Sequence, residues 1–213
     1  MEKKSFTLSL AKNPLINMKV IPGHFTTSSS HMTHYLDVSC LKSNTLVARD
    51  VAREFVIPYI SSTPVDAIVC MDRMEVIGAY LAEELTQGST AAVNAGGEIF
   101  VAAPISNDMG SLSFQSSMIN RIAGKNILLL AASISSSRTL DSAIDCISYY
   151  GGKIVGISAL FMVAQASPEQ NTHALFTSED IPGYNAFSAR NCEMCRLGKK
   201  LDALISSEGY TKI

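Results

Sequence analysis

The chain carries no excess of either charge. Its 213 residues include 17 Lys and Arg against 19 Asp and Glu, a formal net charge of −2. That balance excludes the broad positive footprint of a nucleic-acid binder. It does not exclude a small anion, which a nest of backbone N–H groups holds without net positive charge. Charged residues are scarce altogether, at 17% against 47% hydrophobic, which predicts a compact globular protein rather than a disordered one. No apolar run approaches the roughly 18–20 residues a membrane helix needs. The longest, Ile154–Ala164, has the length of a buried strand with its flanks. Lys12 interrupts the apolar part of the opening MEKKSFTLSLAKNPL, so a signal peptide is not expected. Five cysteines, an odd number scattered through apolar segments, fit a reducing compartment better than a disulfide framework. The expectation is a cytoplasmic protein of one domain, with no membrane and no nucleic-acid partner.

Periodicity organises the middle of the chain. Thr45–Ile60 places Ala48, Val51, Ala52, Phe55 and Tyr59 on one helical stripe, with Arg49, Asp50, Arg53 and Glu54 opposite. Asp66–Met71, DAIVCM, is a short apolar run of strand length, and Met74–Leu85 returns to helical period. Glu98–Pro104 reads as a strand ending at proline. Ser106–Ile122 reads as a long polar loop that ends in a short helix. Ile127–Leu130 is a strand, Leu140, Ala143, Ile144 and Ile147 mark a buried helix face, and Ile154–Val163 is a further strand. Strands alternating with helices of this length predict an α/β fold with a mainly parallel sheet flanked by helices. The alternation covers a core of about 41–165, while about 1–40 and 166–213 do not share it and are expected to form an appended hood.

Between the last two strands of the core lies SISSSRTL, Ser133–Leu140. In an open α/β sheet, ligands sit beyond the carboxyl ends of the strands, at the N-termini of the following helices. N–H groups and the helix dipole favour an anion there, and small hydroxyl side chains add donors. Ser135, Ser136, Ser137 and Thr139 supply hydroxyls and Arg138 a charge; the competing reading is a serine turn that merely caps the helix.

Four segments resemble type I phosphoribosyltransferases and proteins like them. Ile127–Leu130 followed by Ser135, Ser136 and Thr139 is similar to that family's phosphoribosyl-diphosphate (PRPP) loop. Asp66–Leu85, with Gly78 in place, is similar to its strand, diphosphate loop and helix. GHFTTSSSHMTHYLD, Gly23–Asp37, resembles the hood segment of the orotate enzymes, and Cys192–Tyr210 resembles the tail of orotate phosphoribosyltransferase-like proteins. The resemblance implies the type I phosphoribosyltransferase fold and a homodimer. It also implies transfer of ribose 5-phosphate from PRPP to a pyrimidine or related base, with Mg²⁺ as cofactor. Ser135, Ser136, Ser137, Arg138 and Thr139 are then expected to hold the 5′-phosphate and Met71, Asp72 and Arg73 to face the diphosphate. His24, Phe25, Ser30, His31 and Tyr35 are expected to line the base pocket.

The chain departs from the family pattern at identifiable places. Ala131 and Ala132 stand where the acidic pair binds the ribose hydroxyls, and Ser137 and Arg138 stand where glycines are usual. Each hydrogen bond lost to a ligand hydroxyl costs about 1–3 kcal/mol. Ser106–Ile122, matching the mobile loop that supplies Lys and His, contains neither, and Arg121 is its only base. The departures define an alternative, a non-catalytic sensor that keeps the phosphate cradle and binds a nucleotide or ribose phosphate.

Cys192 and Cys195 form a C-x-x-C. Three readings stand: two small groups packing in the tail, half of a tetrahedral zinc site completed by His173 or a second subunit, or a thiol redox pair. His24, His31 and His34, without a nearby carboxylate or cysteine in sequence, are expected to be hydrogen-bonded structural residues, and no metal ligand is assigned.

Overall fold

The computed structural model describes residues 4–27, 30–87, 92–107, 111–135, 137–163, 171–206 and 209–213, and the side chains of 137–139 lie outside that description. In chain order the elements begin with three strands, β1 (Phe6–Leu10), β2 (Asn13–Thr26) and β3 (Ser30–Asp37). Helices α1 (Ser39–Ser43) and α2 (Thr45–Val56) follow, then β4 (Ala67–Cys70), α3 (Glu75–Gln87), β5 (Phe100–Ala102) and the short pair β6 (Ile105–Ser106) and β7 (Leu112–Ser113). Next come α4 (Ser116–Ile122), β8 (Asn126–Ile134), α5 (Ser137–Tyr149), β9 (Lys153–Met162) and β10 (Thr172–Thr177). The chain closes with β11 (Ala186–Ser188), α6 (Glu193–Arg196), β12 (Ala203–Ser206) and β13 (Gly209–Lys212).

Five strands form an all-parallel core sheet in the order β10-β9-β8-β4-β5. Burial on both faces explains the continuous apolar runs in β4, β8 and β9. Along β8, Leu128, Leu130 and Ala132 enter one cluster with α2 and α3, while Ile127, Leu129 and Ala131 enter a second with α5. The α2 stripe is buried through Ala48, Val51, Ala52 and Phe55 as its spacing predicts. Its start is fixed by the Asn44 side chain, which accepts from the N–H groups of Leu46 and Val47.

A second sheet, in the order β11-β3-β2-β12-β13 with β1 also on β2, joins the two ends of the chain into the hood. Sequence periodicity does not reveal these strands. Two boundaries also move. Thr172–Thr177 pairs parallel with β9, so the core sheet extends past 165, and the C-terminal part of the hood sheet starts at Ala186. The β8 strand runs on to Ile134, so Ala131 and Ala132 lie inside it rather than beyond its end. No helix among the described residues is long and apolar enough to cross a membrane.

Candidate ligand-binding cleft

A cleft of about 720 Å³ opens between the carboxyl ends of the core strands and the hood. Its floor is Asp72 after β4, Ala132, Ser133 and Ser135 at the end of β8, and Phe161 of β9. Its roof comes from both ends of the chain: Thr27, Met32, Tyr35 and Asp37 from the first, Ile205, Ser206, Gly209 and Tyr210 from the last. Lys42 of α1 and Tyr184 complete the wall. One end is therefore polar and adjoins the start of α5. The other is aromatic, with the Tyr35 and Tyr210 rings edge to face at 4.8 Å.

Asp72 is the centre of the polar end. It follows β4 (Ala67–Cys70), and the chain turns through left-handed backbone at Asp72 (φ 51) and Arg73 (φ 62). That turn points the Asp72 carboxylate at β8, where it accepts the Ala132 N–H at 3.2 Å. Lys42 Nζ donates to the Asp72 carbonyl at 2.8 Å. Burial raises the Asp72 carboxyl above the usual carboxylate range, and the Ala132 and Ser133 amides and the Lys42 charge pull it part of the way back. Sequence alone offered no sign that Asp72 would stand at Ala132.

The expected site residues separate. Of the phosphate set, Ser135 lines the cleft, Ser136 lies outside the described residues, and the backbone of Ser137, Arg138 and Thr139 starts α5. Of the diphosphate set, Asp72 faces the cleft, Met71 packs against the core beneath α5, and Arg73 is exposed and does not line it. Glu75 opens α3, where a carboxylate suits the helix start.

Of the base-pocket set, Tyr35 alone lines the cleft. Phe25 is fully buried among Ile21, Met32 and Ala203 in the hood's own small core. Ser30 is buried in the turn with Thr27, its N–H donating to Thr27 Oγ1. His24 and His31 do not line the cleft and meet Cys192 and Cys195 instead. His34 stacks on Tyr184 at 6.0 Å and contacts Thr33 Oγ1. His173 pairs with Asn171. Arg121 lies over the Phe100 ring at 4.0 Å and is not in the cleft. Lys42, Tyr184 and Tyr210 were missed, because nothing in their local sequence shows that distant segments close one wall.

No protein-family model matches the sequence, and no curated protein does. Solved structures do match the fold. Leishmania donovani UMP synthase superposes with a TM-score of 0.55 at 18% identity, over 75% of this chain and 34% of that one. Mycobacterium tuberculosis orotate phosphoribosyltransferase, solved with inorganic phosphate, gives 0.50 at 12% identity, over 76% and 89%. Adenine phosphoribosyltransferase from Rhodothermus marinus gives 0.49 at 13%, over 82% and 94%. The parallel sheet, the cleft at its carboxyl edge and the hood above it are the architecture of the type I phosphoribosyltransferases, and this chain has their fold.

Proposed function

We propose that the chain is a phosphoribosyltransferase of the orotate type, moving ribose 5-phosphate from PRPP to a pyrimidine or related base. The observation that carries the reading is the Asp72 carboxylate set against the Ala132 amide in the cleft. It returns an acceptor to the strand end that has lost its acidic pair. In the reaction a base nitrogen gives up its proton to solvent and bonds to the ribose C1, the C1–oxygen bond breaks, and diphosphate leaves with the electron pair. The transition state is cation-like at the ribose, so positioning and charge stabilisation do most of the work.

The start of α5 with Ser135 would take the 5′-phosphate, Asp72 the ribose hydroxyls, and Tyr35 and Tyr210 the base. Lys42, in the same wall, would place positive charge near the diphosphate. Asp37 and Asp72 both line the cleft, an oxygen donor set of the kind Mg²⁺ uses together with substrate phosphates. When bound, Mg²⁺ would supply neutralising charge to the leaving diphosphate. The reading includes a homodimer, which light scattering of the purified protein checks.

A second reading, a sensor of a nucleotide or ribose phosphate, is favoured by Ala132. It is the β8 alanine that lines the cleft, so a methyl group stands there and β8 brings no carboxylate of its own. Calorimetric titration with PRPP, with and without Mg²⁺, separates the two when coupled to diphosphate release in the presence of orotate, uracil and purines. The enzyme requires Mg²⁺-dependent PRPP binding and base-dependent release. The sensor requires binding of monophosphates with no turnover. Failure of every ribose phosphate to bind would sink both.

A further inference from the structure

Away from the cleft, four side chains from three segments converge. His24 Nε2 lies 3.4 Å from Cys192 Sγ, 3.7 Å from Cys195 Sγ and 3.2 Å from His31 Nδ1. Cys195 Sγ lies 3.3 Å from His31 Nδ1, and all four atoms fall within 4.8 Å of one another. A tetrahedral zinc ion with bonds of about 2.3 Å to sulfur and 2.0–2.1 Å to nitrogen spaces its ligands roughly 3.3–3.8 Å apart. These four separations, 3.2–3.7 Å, are close to the edges of that tetrahedron, and the remaining two are no longer than 4.8 Å. We propose that His24, His31, Cys192 and Cys195 form a closed structural zinc site that staples the C-terminal segment to the hood sheet.

The surroundings are those of a metal ligand set. His24 Nδ1 lies 3.0 Å from the Lys199 carbonyl and 3.2 Å from the Lys200 carbonyl. Carbonyls only accept, so Nδ1 carries the proton and Nε2 turns its lone pair into the cluster. A histidine whose other nitrogen is held by a backbone carbonyl is the arrangement metal sites use to fix tautomer and ring. His24 and Cys192 are each only 1% exposed, while His31 and Cys195 lie nearer the surface and give an ion a way in. A pairing irregularity between Pro22 and Phe25 adds a residue to β2 just before the cluster, a device that re-aims side chains. On the tail, Cys192 caps α6 and Cys195 sits within it, so one tight turn presents both sulfurs. Two thiolates and two imidazoles suit zinc over the hard cation expected in the cleft. No ligand of this set lines the cleft.

The staple has something to hold. Among the described residues the distal hood's core has four buried members, Ile21, Phe25, Met32 and Ala203, with Tyr35, Ile205 and Tyr210 packed against them, and small cores commonly depend on a metal or a disulfide. Seven residues beyond Cys195, Asp202 returns to His24, taking its N–H at 2.7 Å on the carboxylate. The chain then forms β12 and β13, which carry Ile205 and Tyr210 into the cleft.

The test is metal analysis of the full chain, purified under reducing conditions, incubated with zinc and freed of excess. About one zinc per chain is expected. Cys195→Ser and His31→Asn, changes at the two more exposed ligands, should each lower retained zinc at least tenfold in chelator competition. Cobalt loaded in place of zinc should give tetrahedral d–d bands and a thiolate charge-transfer band, both weaker at equal cobalt in Cys195→Ser, which keeps one thiolate. A folded wild-type chain that retains no zinc overturns the proposal. So does retention equal to wild type in both variants, or a cobalt spectrum without thiolate character. The readouts are independent of PRPP binding, so this proposal and the functional one stand or fall separately.

Discussion

Asp72 is held between two opposing demands. Its left-handed backbone and burial both work against the fold, since a non-glycine residue at positive φ is uncommon and a buried carboxylate loses hydration. The Ala132 and Ser133 amides and Lys42 offset only part of the desolvation, so the folded-state carboxyl stays above its usual range. A raised acid means that the folded chain holds this proton more tightly than the unfolded chain does. The stability it contributes is present below the ordinary carboxylate range and is lost as pH rises through the raised value. Asp72→Asn abolishes that titration while keeping an oxygen for the Ala132 N–H. Thermal melts should therefore show the Asn variant gaining on wild type as pH rises through that window, then holding a constant margin. Its Mg²⁺-dependent PRPP affinity should fall about tenfold or more, the loss of roughly one charged hydrogen bond. A variant that is less stable at neutral pH and binds PRPP as wild type does would remove Asp72 from the site.

The β9 strand is set by contact rather than by propensity. A Cβ on Gly156 would stand 2.4 Å from Tyr59 Cε1, and the Tyr59 hydroxyl lies 3.1 Å from the Ile157 carbonyl and 2.9 Å from Ser158 Oγ. Burial pushes the Tyr59 phenol up to about 12, so it remains a donor throughout the usable pH range. Gly156→Ala should cost about 1–3 kcal/mol in denaturant unfolding, and Tyr59→Phe about 1–2 kcal/mol. Equal stability in both would mean that the strand and Tyr59, in the turn that follows α2, do not press on each other as described.

The core elements were legible because each signals itself locally. The α2 stripe repeats at helical spacing, and β4 and β8 are apolar because both faces are covered. The hood was legible only as a place where alternation stops. Its strands pair across most of the chain, as β12 does with β2, and no local period records such a partner. The same distance hid the cluster of His24 with Cys192, although both halves were visible in sequence. It also hid Lys42 and Tyr210 in the cleft, while Ser135 and Asp72, singled out because their loops resemble a known pattern, do line it.

Hood and core share one interior. Ile16, Met18 and Val20 of β2 sit in the same cluster as α2, α3 and β8, so the near half of the hood is fixed to the sheet. The far half, with Phe25, Met32 and Tyr210, is joined to it through the two long strands and the C-terminal return. A ligand spanning the cleft would touch the fixed floor with its phosphate and this distal roof with its base. The two contacts should then be separable. Tyr210→Leu keeps bulk against Tyr35 and Phe25 but removes an aromatic face from the roof. Ribose 5-phosphate, which has no base, should bind the variant as tightly as wild type. A nucleoside monophosphate should lose about 1 kcal/mol, roughly fivefold in affinity, from the missing ring contact. Calorimetry on both ligands decides the matter, because an equal loss for the two would place the base away from the tyrosines. A loss for ribose 5-phosphate alone would reverse the orientation, putting the phosphate under the hood and the base at the end of β8.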